Sequence, residues 1–300
     1  MFLLGLIRRV IQNIQSGITF NNSALKRLPA FYPASSNIWK NPELGFQSAN
    51  NFPSQLLQLM RVLEEIGNSS KATNTPPLSS RNRFWQDFTP IPMSKVPGSA
   101  ELPTQEIKES FQLYGCSKLP FSEVYSYMLG KISGQVDVPR ILEIGIGTNK
   151  AGIVSAMDKD YQPGASLRSY KALIRSAQIF GVDYDKSCLF SEDRIVTAFG
   201  DQTRLESLNN LMLSFGDGFD LVIDDGLHTT EANLNTLIFG LKATKPTGMI
   251  YIEDISIGSI EVWQLVSSVM HKYGYSTRII QQDPWGLSFL VEKSYAEIGF

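Results

Sequence analysis

The chain has 300 residues, 43% of them apolar, and a formal net charge of −2, enough to bury a sizeable core in one large domain or in a core plus an accessory region. That balance offers no basic field for nucleic acid, and no run approaches the roughly 18 apolar residues of a membrane span. The two cysteines, Cys116 and Cys188, make neither a disulfide framework nor a CxxC metal pair, so a reducing, cytoplasmic setting is expected.

In chain order, residues 1–15 read as an amphipathic helix. Its apolar start, Met1-Phe2-Leu3-Leu4-Gly5-Leu6-Ile7, precedes Arg8-Arg9, the reverse of a secretory signal. The helix is expected to pack on its own protein, with a membrane-surface or homo-oligomer contact as the alternative. Residues 1–118 are otherwise irregular, with Asn, Ser and Pro clustered at 21–54 and 67–103. Two helices are predicted there, at about 53–66 and at 104–114, the second with Thr104 as N-cap and Gly115 as its stop. Trp39, Phe84, Trp85 and Phe88 are expected to anchor loops, or to serve in a lid over a substrate.

From residue 119 the pattern becomes regular. A helix over 120–133 leads into a strand at 139–144, and further strands are predicted at 178–183, 194–199, 219–224, 248–253, 276–281 and 286–292. Helices at 165–176, 203–214, 229–242 and 259–273 separate most of them. This alternation predicts a doubly wound α/β sheet of seven mostly parallel strands. The last two strands are joined only by Gln282-Asp283-Pro284-Trp285, too short for a crossover helix, so that pair should be antiparallel.

The chemistry-bearing residues fall at the carboxyl ends of these strands, where open α/β sheets bind ligands. The first strand runs into Glu143-Ile144-Gly145-Ile146-Gly147. Two glycines permit a tight turn or the close approach of a ligand. A dinucleotide fingerprint would need a third glycine where Lys150 stands, and no P-loop ending follows. The second strand ends in Asp183, suited to a ribose diol, and the third in Gly200-Asp201-Gln202, suited to an adenine edge. Asp183 lies well beyond the roughly 20-residue spacing of a dinucleotide unit, and the extra length is Ala151–Gly164. Ser166 is expected to cap the helix that follows. The fourth strand ends in Asp224-Asp225-Gly226-Leu227-His228 and the fifth in Glu253-Asp254.

Glu143, Gly145, Gly147, Asp183, Asp201 and Asp224, each at the end of a successive strand, resemble the pattern of class I S-adenosylmethionine-dependent methyltransferases over residues 139–292. The resemblance implies a Rossmann-like methyltransferase fold. Glu143, Gly145 and Gly147 would line the methionine and ribose part of S-adenosyl-L-methionine, with Asp183 on the ribose hydroxyls and Asp201 and Gln202 near the adenine. Asp224 would face the cofactor amino group, and Ser166 is also placed to touch its carboxylate. The stretch Asp224–His228 with Glu253-Asp254 further resembles metal-dependent macrolide-sugar O-methyltransferases and their cephalosporin hydroxylase-like relatives. By that resemblance Asp225, Glu253 and Asp254 would bind Mg²⁺ and His228 would be the general base. Leu227 stands where those relatives carry Ser. The implied reaction is methylation of a hydroxyl on a sugar or glycosylated metabolite.

A bland reading stands beside this one. Asp225 or Thr229 could cap the next helix, and His228 could be an ordinary loop histidine. Four acids on neighbouring strand ends repel one another without a cation, which favours a metal. A hydroxylase would need Fe(II) on two histidines and a carboxylate, and only one histidine lies in the motif. A non-catalytic cofactor-binding protein would have no use for His228 and the acids. The other histidine, His271, is expected at the surface of a late amphipathic helix.

Overall fold

The computed structural model describes residues 61–62, 64–66, 90–153, 155–282 and 286–293. The expectations for helix 1–15, Trp39, Phe84, Trp85 and Phe88 lie outside the described residues, as does most of helix 53–66, of which residues 61–62 and 64–66 are helical.

Strand β1 (Ile91–Pro92) opens the described chain, followed by helices α1 (Thr104–Tyr114) and α2 (Ser122–Gln135). Then come β2 (Arg140–Ile144), α3 (Ala165–Leu173), β3 (Gln178–Asp183), β4 (Ser191–Glu192), β5 (Ile195–Phe199), α4 (Leu205–Phe215), β6 (Phe219–Asp224), α5 (Thr230–Ala243), β7 (Thr244–Ile255), α6 (Ile260–Lys272), β8 (Ser276–Gln282) and β9 (Gly286–Glu292). The seven predicted strands are all present, and two-residue strands β1 and β4 extend the edges into a nine-stranded sheet of order β1-β8-β9-β7-β6-β2-β3-β5-β4. β9 is inserted antiparallel between β7 and β8, as the short link requires. Among the described residues no helix is long and apolar enough to cross a membrane.

Alternation along each strand sends successive side chains to opposite faces, and the core follows it. Ile141, Ile179, Leu221, Ile223, Met249 and Tyr251 pack under α1, α2 and α3. Leu142, Ile144, Phe180, Val182 and Val222 pack with Leu208, Leu211 and Phe239 of α4 and α5 on the other face. Phe111, Tyr125, Tyr170 and Tyr251 form an aromatic cluster joining α1, α2 and α3 to β7, with Phe111 and Tyr125 at 5.2 Å and Tyr125 and Tyr170 at 5.7 Å. Each such pair adds about 0.5–1.5 kcal/mol beyond the area it buries. Residues 90–118 are therefore integral to this body: β1 pairs with β8, and Ile107 and Phe111 are core.

Register sets the site. Ile144 pairs with Val182 on one side and Asp224 on the other, and Asp224 pairs with Ile252. Gly145, Asp183, Asp225 and Glu253 therefore step off the sheet at one level.

Candidate active site

Strand alternation divides the acids. Asp224 shares a face with Val222, under α4 and α5. It is fully buried and its oxygens accept from Gln202 Nε2 at 2.6 Å, Asn233 Nδ2 at 3.0 Å and the Gly226 N–H at 3.2 Å. Gln202 also donates to Thr236 and accepts from the Leu227 N–H at 2.8 Å. A β-carbon on Gly226 would lie 2.2 Å from Gln202 Oε1, so glycine is what lets this clamp close. In the structure Asp224 and Gln202 hold the shape of the Asp225–His228 turn, where the sequence placed them against the cofactor.

Glu143, Asp225 and Glu253 point to the opposite face and meet a residue the sequence reading missed. Gly115, in the left-handed region at φ 65°, ends α1 and turns the chain so that Lys118 enters the sheet edge. The Lys118 ammonium, 2% exposed, lies 2.5 Å from Asp225 Oδ2, 2.8 Å from Glu253 Oε2 and 3.4 Å from Glu143 Oε1. Burial alone would lower the ammonium pKa, but Asp225, Glu253 and Glu143 outweigh it and hold it well above its ordinary value. Glu253 also accepts from the Tyr125 hydroxyl, and its pKa is raised by burial against the pull of Lys118. Burial likewise lifts Glu143 to about 7, and Ser166 donates to it at 3.0 Å. Ser166 is thus not the cap of α3. Gly164 takes that position, and it can because its φ of 77° needs no β-carbon.

Beyond Lys118, the remaining groups form an outer half. Asp225 Oδ1 faces His228 Nε2 at 3.8 Å. Asp225, His228 and Asp254, all half-buried, offer ligand atoms within 4.8 Å of one another. His228 at φ 58° and Asp254 at φ 49° both occupy the left-handed region without being glycine. Such conformations cost on the order of 1 kcal/mol each and gather at functional sites. Asp254 follows Glu253 directly and should face away from it. The register shift in the β7–β9 pairing between Ile252 and Ile255 breaks that alternation. His228 Nδ1 is buried with no hydrogen-bond partner in the protein. Burial raises the Asp254 pKa while His228 pulls it back down. Thr229, not Asp225, caps α5 by accepting from the Ala232 N–H.

The glycine loop serves protein contacts as well as any ligand. Gly145, at φ 90°, backs onto Asp225, and Gly147, at φ 84°, lies under the Tyr161 ring. Asp183 accepts from the Ile146 and Asp185 N–H groups at 3.0 and 2.8 Å, one per oxygen, and from the Cys188 thiol, which leaves the carboxylate one further lone pair. Next to it Tyr184 is 62% exposed with its ring 5.9 Å from Phe199, an aromatic surface signalled in sequence by an aromatic directly after a strand-end acid. Asp201 accepts from the Thr203 N–H and hydroxyl, and its own N–H donates to Ser207 at the start of α4. His271, half-buried on α6, accepts from the Thr277 N–H.

No protein-family model matches the chain. Over 116 residues, 39% of this chain and 27% of the relative, it is 34% identical to demethylmacrocin O-methyltransferase of Streptomyces fradiae. Over 117 residues it is 36% identical to mycinamicin VI 2''-O-methyltransferase of Micromonospora griseorubida, again 27% of that protein. A rhamnosyl-tetracenomycin-C 3'-O-methyltransferase of Streptomyces olivaceus matches at 30% over 135 residues, 45% of this chain and 32% of that protein. The matches thus span about a third or less of these curated relatives. Among solved structures, the MycE methyltransferase from the mycinamycin biosynthetic pathway, in complex with Mg, SAH and mycinamycin VI, superposes with a TM-score of 0.51 at 24% identity, covering 65% of this chain and 56% of that one. A second crystal of that enzyme, with Mg and SAH, gives a TM-score of 0.50 at 23% identity, covering 63% and 54%. The fold of this chain is that of a methyltransferase, and its relatives by sequence are O-methyltransferases.

Proposed function

We propose that the chain is an S-adenosylmethionine-dependent, Mg²⁺-dependent O-methyltransferase that acts on a hydroxyl of a sugar or glycosylated metabolite. The observation that carries this reading is the outer half of the acid cluster. Asp225, Asp254 and His228 converge at the carboxyl edge of a methyltransferase-type sheet, and His228 and Asp254 hold costly backbone conformations to do so. The relatives by sequence support the choice of a sugar acceptor, since they are named for macrolide and rhamnosyl substrates.

The donor set fits the two groups that this reaction needs. Asp225 and Asp254 offer the hard oxygen ligands that Mg²⁺ prefers. Asp183 keeps acceptor capacity for a ribose diol, and the exposed Tyr184 ring beside it offers a face for adenine. Asp201, just past the end of β5, is the carboxylate proposed for the adenine side. S-adenosylmethionine supplies the methyl group on a sulfonium, and the metal ion supplies positive charge that favours the ionised acceptor.

The remaining chemistry belongs to the chain. His228, whose Nε2 faces Asp225 Oδ1 at 3.8 Å, accepts the proton of the acceptor hydroxyl. The deprotonated acceptor oxygen would take the methyl group from the sulfonium, with the electron pair of the carbon–sulfur bond left on sulfur. The Gln202–Asp224 clamp fixes the turn that carries Asp225 and His228, so orientation is set before the acceptor arrives. Leu227 lies in this turn, with its N–H held by Gln202 Oε1.

The test is a methyl-transfer screen against nucleotide sugars, glycosylated metabolites and polysaccharide fragments with Mg²⁺ present, read as release of S-adenosylhomocysteine. Turnover on a glycosylated acceptor is expected. Turnover confined to non-sugar hydroxyls, or none with any acceptor, would overturn the reading.

A further inference from the structure

The four carboxylates at the sheet edge do not share one environment, and Lys118 is the reason. Its ammonium is 2% exposed and lies within salt-bridge distance of Glu143, Asp225 and Glu253. Among the described residues these three are the charged groups facing it from β2, β6 and β7. The Tyr125 hydroxyl of α2 completes the shell by donating to the Glu253 oxygen that Lys118 leaves free. Both Glu253 oxygens are therefore engaged inside the protein, and its side chain is 1% exposed. Asp225 divides its two oxygens, with Oδ2 on the ammonium and Oδ1 towards His228.

We propose that Lys118 is a built-in cation that withholds Glu253 from the metal, leaving Asp225 and Asp254 as the carboxylates that bind Mg²⁺. The inference rests on the metal site proposed above and gives the reason why Glu253, a ligand by the sequence resemblance, is left out of it. The adjacent Glu253-Asp254 pair looks like a bidentate clamp in sequence, but the two carboxylates engage different partners: Lys118 holds Glu253, while Asp254 joins Asp225 and His228. A second observation marks the outer half as the open side. The Asp225 side chain is 22% exposed, against 1% for Glu143 and Glu253 and 2% for Lys118. Lys118 has a further consequence. One positive charge beside Asp225 weakens the attraction of the cluster for a divalent ion, since like charges a few ångströms apart repel strongly where water is scarce. The ion should bind loosely to the protein alone and gain its remaining ligands from the acceptor.

Titration of the full chain with Mg²⁺ alone, followed by calorimetry and by the thermal midpoint, tests this without any turnover. Glu253→Gln keeps an acceptor for Lys118 and turns the other position into a donor to the Tyr125 oxygen, and it should leave Mg²⁺ affinity within about threefold of the parent, while Asp254→Asn should weaken it by roughly tenfold or more. Lys118→Met removes the internal cation and should tighten Mg²⁺ binding by roughly tenfold or more, with a thermal midpoint that newly depends on Mg²⁺. Equal losses in Glu253→Gln and Asp254→Asn would overturn the proposal, because Glu253 would then be a ligand. So would a Lys118→Met protein that binds Mg²⁺ no better than the parent. If Lys118→Met does not fold, the Glu253→Gln and Asp254→Asn comparison decides alone. These titrations are independent of methyl transfer, so an absence of turnover would count against the proposed reaction and leave the role of Lys118 standing.

Discussion

Gly145 and Asp225 meet backbone against backbone: a β-carbon on Gly145 would stand 2.1 Å from the Asp225 carbonyl oxygen. The Asp225 N–H donates to the Ile144 carbonyl at 2.8 Å, so the end of β2 and the start of the acidic turn form one unit. The glycine that reads as a cofactor contact in sequence is thus also what allows Asp225 to sit where it does.

Gly145→Ala should therefore damage both sites together. The left-handed backbone at φ 90° costs a β-carbon about 1–3 kcal/mol before any clash. A fall in thermal midpoint of roughly 5 °C is expected, with weaker binding of both S-adenosylmethionine and Mg²⁺. Calorimetric titration of each ligand checks this, and loss of one affinity without the other would show that the two sites are not coupled through this contact.

His228→Asn separates chemistry from folding. Asparagine tolerates the left-handed conformation that His228 adopts at φ 58°, so the turn should persist. Turnover should fall by roughly 10²–10⁴-fold, the usual contribution of a general base, with affinity for S-adenosylmethionine nearly unchanged. Initial rates at saturating cofactor, beside a binding isotherm, give the answer; a loss under tenfold would assign the base elsewhere.

Stability should respond to pH through Glu143. Burial lifts this carboxyl from 4.5 to about 7, against the pull of Lys118, so the folded protein retains a proton that the unfolded chain releases. The stabilisation is present in full below pH 4.5 and is lost as pH rises through about 7. Glu143→Gln, which keeps an acceptor for Ser166, should flatten that decline. Urea denaturation midpoints at about pH 5 and about pH 8 would show it, and parallel declines in parent and variant would contradict it.

The sheet was legible because each strand carries a buried run and each crossover a helical period. Predicted and observed strands over 178–183, 219–224 and 286–292 coincide. β1 and β4, two residues each, are too short for any periodicity to register. The acid cluster was legible as a position but not as an arrangement. Lys118 lies 107 residues from Asp225 in sequence and 135 from Glu253, in a loop with no motif, so only the fold brings it to the site. The parting of Asp224 from Asp225 follows from strand alternation and could have been read from the pattern of buried neighbours. The convergence of Asp254 on His228 could not, because it depends on an irregularity in β7 that no local residue preference announces. Thr104 was expected to cap α1, but Pro103 holds that place and Thr104 is the first helical residue.

The central claim is that Asp225, Asp254 and His228 carry metal-assisted methyl transfer. Release of S-adenosylhomocysteine, measured on one glycosylated acceptor before and after chelation and again after Mg²⁺ is restored, tests it most directly. Chelation should abolish turnover, Mg²⁺ should restore it, and Asp254→Asn should raise the Mg²⁺ concentration needed by roughly tenfold or more. Turnover that persists unchanged in the chelator would contradict the account.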